Sequence, residues 1–173
     1  YNDLAKKHPN QLSVMREYIK GFSLNINAII LSTAGGTETH PSVPSIQITG
    51  RPECSNFPSA YCGNDFSLAN DIDPALTKQV SGLVEKVGGW MAEAGFRGIF
   101  GMDFMVRKGR VYAMEINPRF QNSTGLYTAL RNIDGAGQEA LFLLHIAEFL
   151  QEKDNEMRKF IERFPIGSIT EPV

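Results

Sequence analysis

The chain has 173 residues and a formal net charge of −2, enough for one domain with a real core. It carries no basic block and no apolar run near the length of a membrane span. Those absences argue against a nucleic-acid partner and against a membrane one. Its two cysteines, Cys54 and Cys62, have no CxxC spacing and no His at ligand spacing, so they read as reduced thiols of a cytoplasmic protein. The first residues, Tyr1-Asn2-Asp3-Leu4, hold no initiator Met and read as the start of a piece of a longer chain.

In chain order, Asn2 to Lys7 reads as the tail of a helix, stopped by His8-Pro9-Asn10. Gln11 to Ile19 reads as a strand. Phe22 to Leu31 alternates Phe22, Leu24, Ile26, Ala28 and Ile30 with Ser23, Asn25, Asn27 and Ile29, the period of a half-buried strand. Ser32 to Pro44 reads as a polar, flexible loop holding a solvated His40. Ser45 to Thr49 is a short strand ended by Gly50. Arg51 to Asn70 is irregular, with Pro52, Pro58 and Gly63, and reads as a structured loop of the kind that carries function.

Asp73-Pro74 is a strong helix start. Ala75, Leu76, Val80, Leu83, Val84, Val87, Trp90 and Met91 recur at helical spacing as a core stripe. A hairpin follows. With Arg107 opposite Val111 across a three-residue turn, Asp103 lies opposite Glu115. One face then carries Met102, Phe104, Val106, Tyr112, Met114 and Ile116, and the other carries Asp103, Glu115 and Asn117. Beyond it, Asn122 to Leu130 reads as a helix broken by Asp134-Gly-Ala-Gly137. Gln138 to Leu150 is an apolar helix with a core or edge His145, and Glu152 to Phe164 is a charged tail that loosens from Pro165.

Two like charges facing each other across strands repel unless something neutralises them. Asp103, Glu115 and Asn117 offer three oxygen donors at one end of the hairpin, which suits a hard cation such as Mg²⁺. Arg119 follows at once and can take a phosphate in bidentate fashion. Together these residue types form a phosphoryl-transfer set.

Phe-Arg-Gly-Ile-Phe-Gly-Met-Asp-Phe, followed by Met-Glu-Ile-Asn-Pro-Arg-Phe, resembles the C-terminal signature of the ATP-grasp superfamily, which includes biotin carboxylase and D-alanine–D-alanine ligase. The resemblance spans roughly residues 12–150 and implies ATP with Mg²⁺, or Mn²⁺ in its place. It assigns Asp103, Glu115 and Asn117 as metal ligands, Arg119 as the catalytic residue that stabilises the transferred phosphate or an anionic intermediate, and Gln121 as a neighbour of the acyl substrate. Glu17-Tyr18-Ile19-Lys20-Gly21 is similar to the hinge whose backbone pairs with adenine. Arg16 and Ser23 stand where relatives commonly have acids that touch adenine and ribose.

The implied fold is α+β, a largely antiparallel sheet with helices packed on one face. Residues 1–150 are the C-terminal portion of an ATP-grasp domain and 151–173 a helical tail. Nothing before Tyr18 resembles the family's Gly-rich lid, which belongs upstream. The implied reaction is ATP-dependent ligation of a small-molecule carboxylate to an amine through an acyl phosphate. The implied partners are those substrates and the upstream part of the same polypeptide, and the resemblance is compatible with a homo-oligomer. The alternative is a non-catalytic nucleotide-binding or assembly module that kept the fold.

Overall fold

The computed structural model describes residues 2–7, 10, 16–133, 140–151 and 154–164. In order these form α1 (Asn2–Lys7), β1 (Phe22–Thr33), β2 (Gly36–Pro41), β3 (Ser45–Thr49) and β4 (Tyr61–Asp65). A short 3-10 turn (Ser67–Asp71) leads to α2 (Pro74–Glu93), then β5 (Gly98–Arg107), β6 (Arg110–Asn117), α3 (Asn122–Ile133), α4 (Ala140–Leu150) and α5 (Asn155–Arg163). The strands build one antiparallel sheet in the order β4-β3-β1-β5-β6, with β2 extending the pairing of β1. The expected α+β class and antiparallel sheet are therefore present.

Two expectations need correction. β1 is not half-buried: Leu24 to Leu31 are all buried, on both faces. The reason is that helices lie against both faces of the sheet, not one. Leu24, Ile26, Ala28 and Ile30 of β1 and Phe100, Met102, Phe104 and Val106 of β5 pack against α2. On the opposite face, Ile29, Leu31 and Ile99 pack against Tyr127, Leu141, Leu144 and Ile161 of α3, α4 and α5. Each fully buried aliphatic side chain contributes roughly 1.5–3 kcal/mol, so the second core is a major stabiliser that period alone left unread.

α2 begins as expected. Asp73 accepts a hydrogen bond from Ala75 N (2.8 Å), and Pro74 occupies the first turn. It ends at Gly95 (φ 91°), where Phe96 N bonds to Met91 O (2.9 Å). Leu76, Val80, Val84 and Met91 are buried. Trp90, placed in the stripe from sequence, is 64% exposed, and Ala75 is exposed as well.

The hairpin turn differs from the expected one. Arg107 pairs with Arg110, so the loop is the two residues Lys108 (φ 50°) and Gly109 (φ 74°). Two successive positive φ angles form the turn whose twist matches a hairpin. A β-bulge between Asp103 and Phe104 then absorbs one residue of β6, and Asp103 still meets Glu115. Below the bulge the faces exchange: Val111 lies opposite Val106 and Ala113 opposite Phe104, whereas Tyr112 lies opposite Met105. Val111, not Tyr112, packs on the first core.

Three other segments differ from expectation. Arg16 to Ile19 forms no strand, and residues 11–15 lie outside the described set. Ser32 to Pro44 is chiefly the end of β1, a turn and β2, since Gly36 (φ 127°) lets the chain reverse. The irregular 51–70 stretch contains β4 and the 3-10 turn. The expected break at 134–137 and the loose end after 165 lie outside the described residues.

Candidate functional site

On the face opposite α2, β1 presents Ser23, Asn25 and Asn27 and then Ile29 and Leu31. The helices cover the apolar half. The polar half becomes the floor of a trough, crossed by two rungs of neighbouring residues: Asn25–Asp103–Glu115 and Asn27–Gly101–Asn117. The register places all six on one face.

Asn25 is 2% exposed. Its amide nitrogen donates to Asp103 Oδ1 (2.7 Å) and to Gln121 Oε1 (3.0 Å), and its Oδ1 accepts from Ser123 Oγ (2.6 Å). Gln47 of β3 donates to the same Asp103 oxygen (2.8 Å), and Asn117 Nδ2 donates to Asp103 Oδ2 (3.0 Å). Three neutral amides thus hold one carboxylate in place. Arg119 Nη2 donates to Asn117 Oδ1 (3.2 Å) and its Nη1 to Phe120 O (3.0 Å). Glu115 is exposed and has no hydrogen bond or ion pair among the described residues.

Asn27 is held by the start of α3, where Thr124 Oγ1 donates to Asn27 Oδ1 (2.6 Å) and Asn27 Nδ2 donates to Ser123 Oγ (3.2 Å). Phe120 stacks on Phe142 at 4.9 Å and meets the edge of His145 at 4.8 Å, anchoring the Asn117-to-Gln121 rim onto α4. A Cβ at Gly101 would overlap the Gln121 side chain, so glycine there makes the room that Gln121 occupies.

The trough holds two hollows joined by Gln47. One, about 210 Å³, is lined by Asp103, Glu115, Asn117, Arg119 and Gln121 together with Tyr61 and Asn64 of β4. The other, about 620 Å³, is bordered by Tyr18, Ile19, Ser23, Ile46, Ile48 and Met105. The tyrosine hydroxyl of Tyr61 is pushed above its ordinary pKa by desolvation and then by the Asp103 carboxylate.

Asp103, Glu115, Asn117, Arg119 and Gln121 are therefore brought together, and Tyr18, Ile19 and Ser23 share the neighbouring hollow. Arg16 and Glu17 do not line it; Arg16 Nη1 instead donates to Met114 O at the bulge (3.0 Å). Ala113 lies on the other face because of the bulge. Asn25, Gln47, Tyr61 and Ser123 went unnominated. The sequence signal for two of them was weak but present: Asn25 and Gln47 are amides set between aliphatic residues in short alternating strands.

A family model of the ATP-grasp domain matches residues 2–123. The chain belongs to the ATP-grasp family. An ATP-grasp chain of this kind has an ATP-binding, ligase-like fold, and the trough lies mostly within the matched residues. Among solved structures, the chain is similar to glycinamide-RNase-transformylase T from Mycobacterium tuberculosis. The identity is 14% and the TM-score 0.40, over 68% of this chain and 29% of that one. The chain thus spans under a third of that protein's length. No curated protein sequence matches it. Among the described residues, no helix is long and apolar enough to cross a membrane.

A separate hollow of about 600 Å³ lies at the far end of β1, beside Ser32, Arg97 and Glu148. Its buried acid is satisfied within the chain: Glu148 accepts from Ser32 N (2.8 Å), Ser32 Oγ (2.6 Å) and Gln151 Nε2 (2.6 Å). That network ties α4 to β1 and stands apart from the trough.

Proposed function

We propose that this ATP-grasp chain is the metal- and acyl-handling part of an ATP-dependent ligase that joins a carboxylate to an amine or similar nucleophile. One observation carries the reading. Asp103 and Glu115 are cross-strand neighbours on the trough face, with Asn117, Arg119 and Gln121 around the same small hollow. The larger hollow, beside Tyr18 and Ile19, would take the nucleoside end of ATP.

The donor set fits a hard divalent cation. Among the described residues no three His, Cys, Asp or Glu side chains gather at ligand distance. A cation here would be held by two carboxylates and an amide, a set that suits Mg²⁺ with waters and substrate phosphates filling the remaining positions. Asp103, Glu115 and Asn117 would hold Mg²⁺ or Mn²⁺. When bound, the metal would neutralise negative charge on the phosphates.

The chain's own residues supply the rest. An oxygen of the substrate carboxylate attacks the γ-phosphorus and ADP leaves. The nucleophile then attacks the acyl carbon, phosphate leaves, and a proton is lost. Arg119, the exposed cation at the rim, stabilises charge on the transferring phosphoryl group or the tetrahedral intermediate. Gln121, seated in the space over Gly101, orients the acyl group. Asn25 and Gln47 keep Asp103 facing the hollow.

Glu115→Gln in the full-length polypeptide tests this. Glu115 is exposed and unpartnered among the described residues, so stability should change by under about 0.5 kcal/mol. ATP-dependent phosphate release in the presence of carboxylate substrates should fall by about a hundredfold or more. An unchanged rate would overturn the assignment. Mg²⁺–ATP binding with no turnover in the unsubstituted protein would favour the non-catalytic module.

A further inference from the structure

Asn117 closes β6 and starts the rim of the trough. It is 6% exposed, and both ends of its amide are bonded. Nδ2 donates to Asp103 Oδ2 (3.0 Å), and Oδ1 accepts from Arg119 Nη2 (3.2 Å). Turned over, the amide would set oxygen against a carboxylate oxygen and nitrogen against a guanidinium nitrogen, so the two neighbours fix which end faces which. Arg119 N donates to Asn117 O (2.8 Å), and Pro118 stiffens the step between them. The exposed Arg119 guanidinium otherwise rests on Phe120 O (3.0 Å). Both of its acceptors are neutral. Among the described residues, no carboxylate lies within ion-pair distance of Arg119.

We propose that Asn117 is a positioning residue for Arg119 as well as a metal ligand, and that the guanidinium and the divalent cation compete for its one carbonyl oxygen. The inference rests on the metal assignment made above. Two cations on one amide oxygen repel, the more so at a partly buried atom. With Oδ1 given to the metal, Arg119 Nη2 loses its acceptor and only the Phe120 carbonyl still holds the guanidinium. A neutral carbonyl holds a guanidinium less strongly than an anion does, so the freed group turns to a phosphoryl oxygen. Neither Asp103 nor Glu115 bonds to Arg119 among the described residues. Asn117 is therefore the one assigned ligand that can link metal loading to the arginine, and Arg119 reaches the phosphate only in the loaded site.

The test follows Mn²⁺ binding to the full-length polypeptide by electron paramagnetic resonance, first without nucleotide and then with a non-hydrolysable ATP analogue. Without nucleotide, Arg119→Met should bind Mn²⁺ about fivefold or more tightly than wild type, because the competing cation is gone. Arg16→Met removes a second exposed cation from the same strand, where Arg16 Nη1 donates to Met114 O (3.0 Å). It touches no assigned ligand atom and should tighten binding by under about twofold. With the analogue the order should reverse, Arg119→Met binding Mn²⁺ about fivefold or more weakly than wild type, because Arg119 then helps hold the phosphate.

Glu115→Gln separates this proposal from the reading it rests on. If that variant binds Mn²⁺ as wild type does, the metal assignment falls and the competition falls with it. If it binds Mn²⁺ weakly while Arg119→Met binds no more tightly than wild type or Arg16→Met, the metal assignment stands and the competition is overturned. Tighter binding by Arg119→Met that persists with the analogue would overturn the transfer of Arg119 to the phosphate.

Discussion

Replacing Gly82, Gly88 or Gly89 of α2 by alanine removes the same backbone freedom from the same helix, but the outcomes should differ in sign. A Cβ at Gly82 or Gly89 meets nothing within 4 Å. Alanine there should stabilise the fold by about 1 kcal/mol, the difference in helix propensity. At Gly88 the new Cβ would lie well inside contact distance of Thr39 Cγ2 and Oγ1 and 2.9 Å from Thr39 Cβ. Rotating Thr39 cannot relieve all three contacts, so α2 and β2 must part. Overpacking of this kind costs about 1–3 kcal/mol. Gly88→Ala should therefore fall below Gly82→Ala by roughly that amount, which is several degrees in Tm for a chain of this size. Urea titration followed by far-UV circular dichroism measures the order, with the slope expected to stay constant. Thr39→Ala in the Gly88→Ala background leaves only the contact to Cβ and should recover part of the loss. A Gly88→Ala midpoint that rises together with those of Gly82→Ala and Gly89→Ala would refute the α2–β2 packing on which the sheet's first face depends.

Two further outcomes follow from the polar groups. Asn25→Ala removes two donated bonds and one accepted bond from a buried position, and should cost about 2–4 kcal/mol by urea midpoint; a loss under about 1 kcal/mol would mean water replaces the amide freely. His145 Nδ1 accepts the Ile99 N–H at 3.1 Å, and burial pulls its pKa below the ordinary 6.5, with Glu148 opposing. His40 is lowered in the same direction, again mainly by desolvation. In that window the unfolded chain binds more protons than the folded one, so stability should fall as pH drops through 6.5 toward the lower folded values and level off below them. Thermal midpoints from pH 7.5 to 5 should slope less steeply in His145→Gln, and equal slopes would remove the histidine from the account.

The elements with strong local chemistry were legible in the sequence. Asp73-Pro74 capped α2, Lys108-Gly109 turned the hairpin, and Gly50 ended β3. The acid pair was reached by a different route than expected. A three-residue turn without a bulge and a two-residue turn with one both set Asp103 against Glu115, and periodicity cannot tell them apart. What could not be read was burial by partners distant in the chain. The Ser23-Asn25-Asn27 row looked solvated because nothing local announces that Ser123, Thr124 and Gln47 will close over it. Trp90 fitted the helical stripe, yet it stays mostly exposed to solvent. The Ser32–Pro44 stretch looked like a loop because its glycines mark a turn whose flanking strand, β2, is mostly polar.

The switch from polar to apolar side chains along β1 also acts as a ruler. Strand residues advance about 3.3 Å each, so Ser23, Asn25 and Asn27 lay down a floor roughly 13 Å long before Ile29 hands that face to the helices. A ligand extending further has to turn sideways, toward β3 through Gln47 or toward β6 through Glu115. If the trough takes the ligand, the number of consecutive outward positions of one rigid strand that remain hydrophilic would set the length of what lies along it.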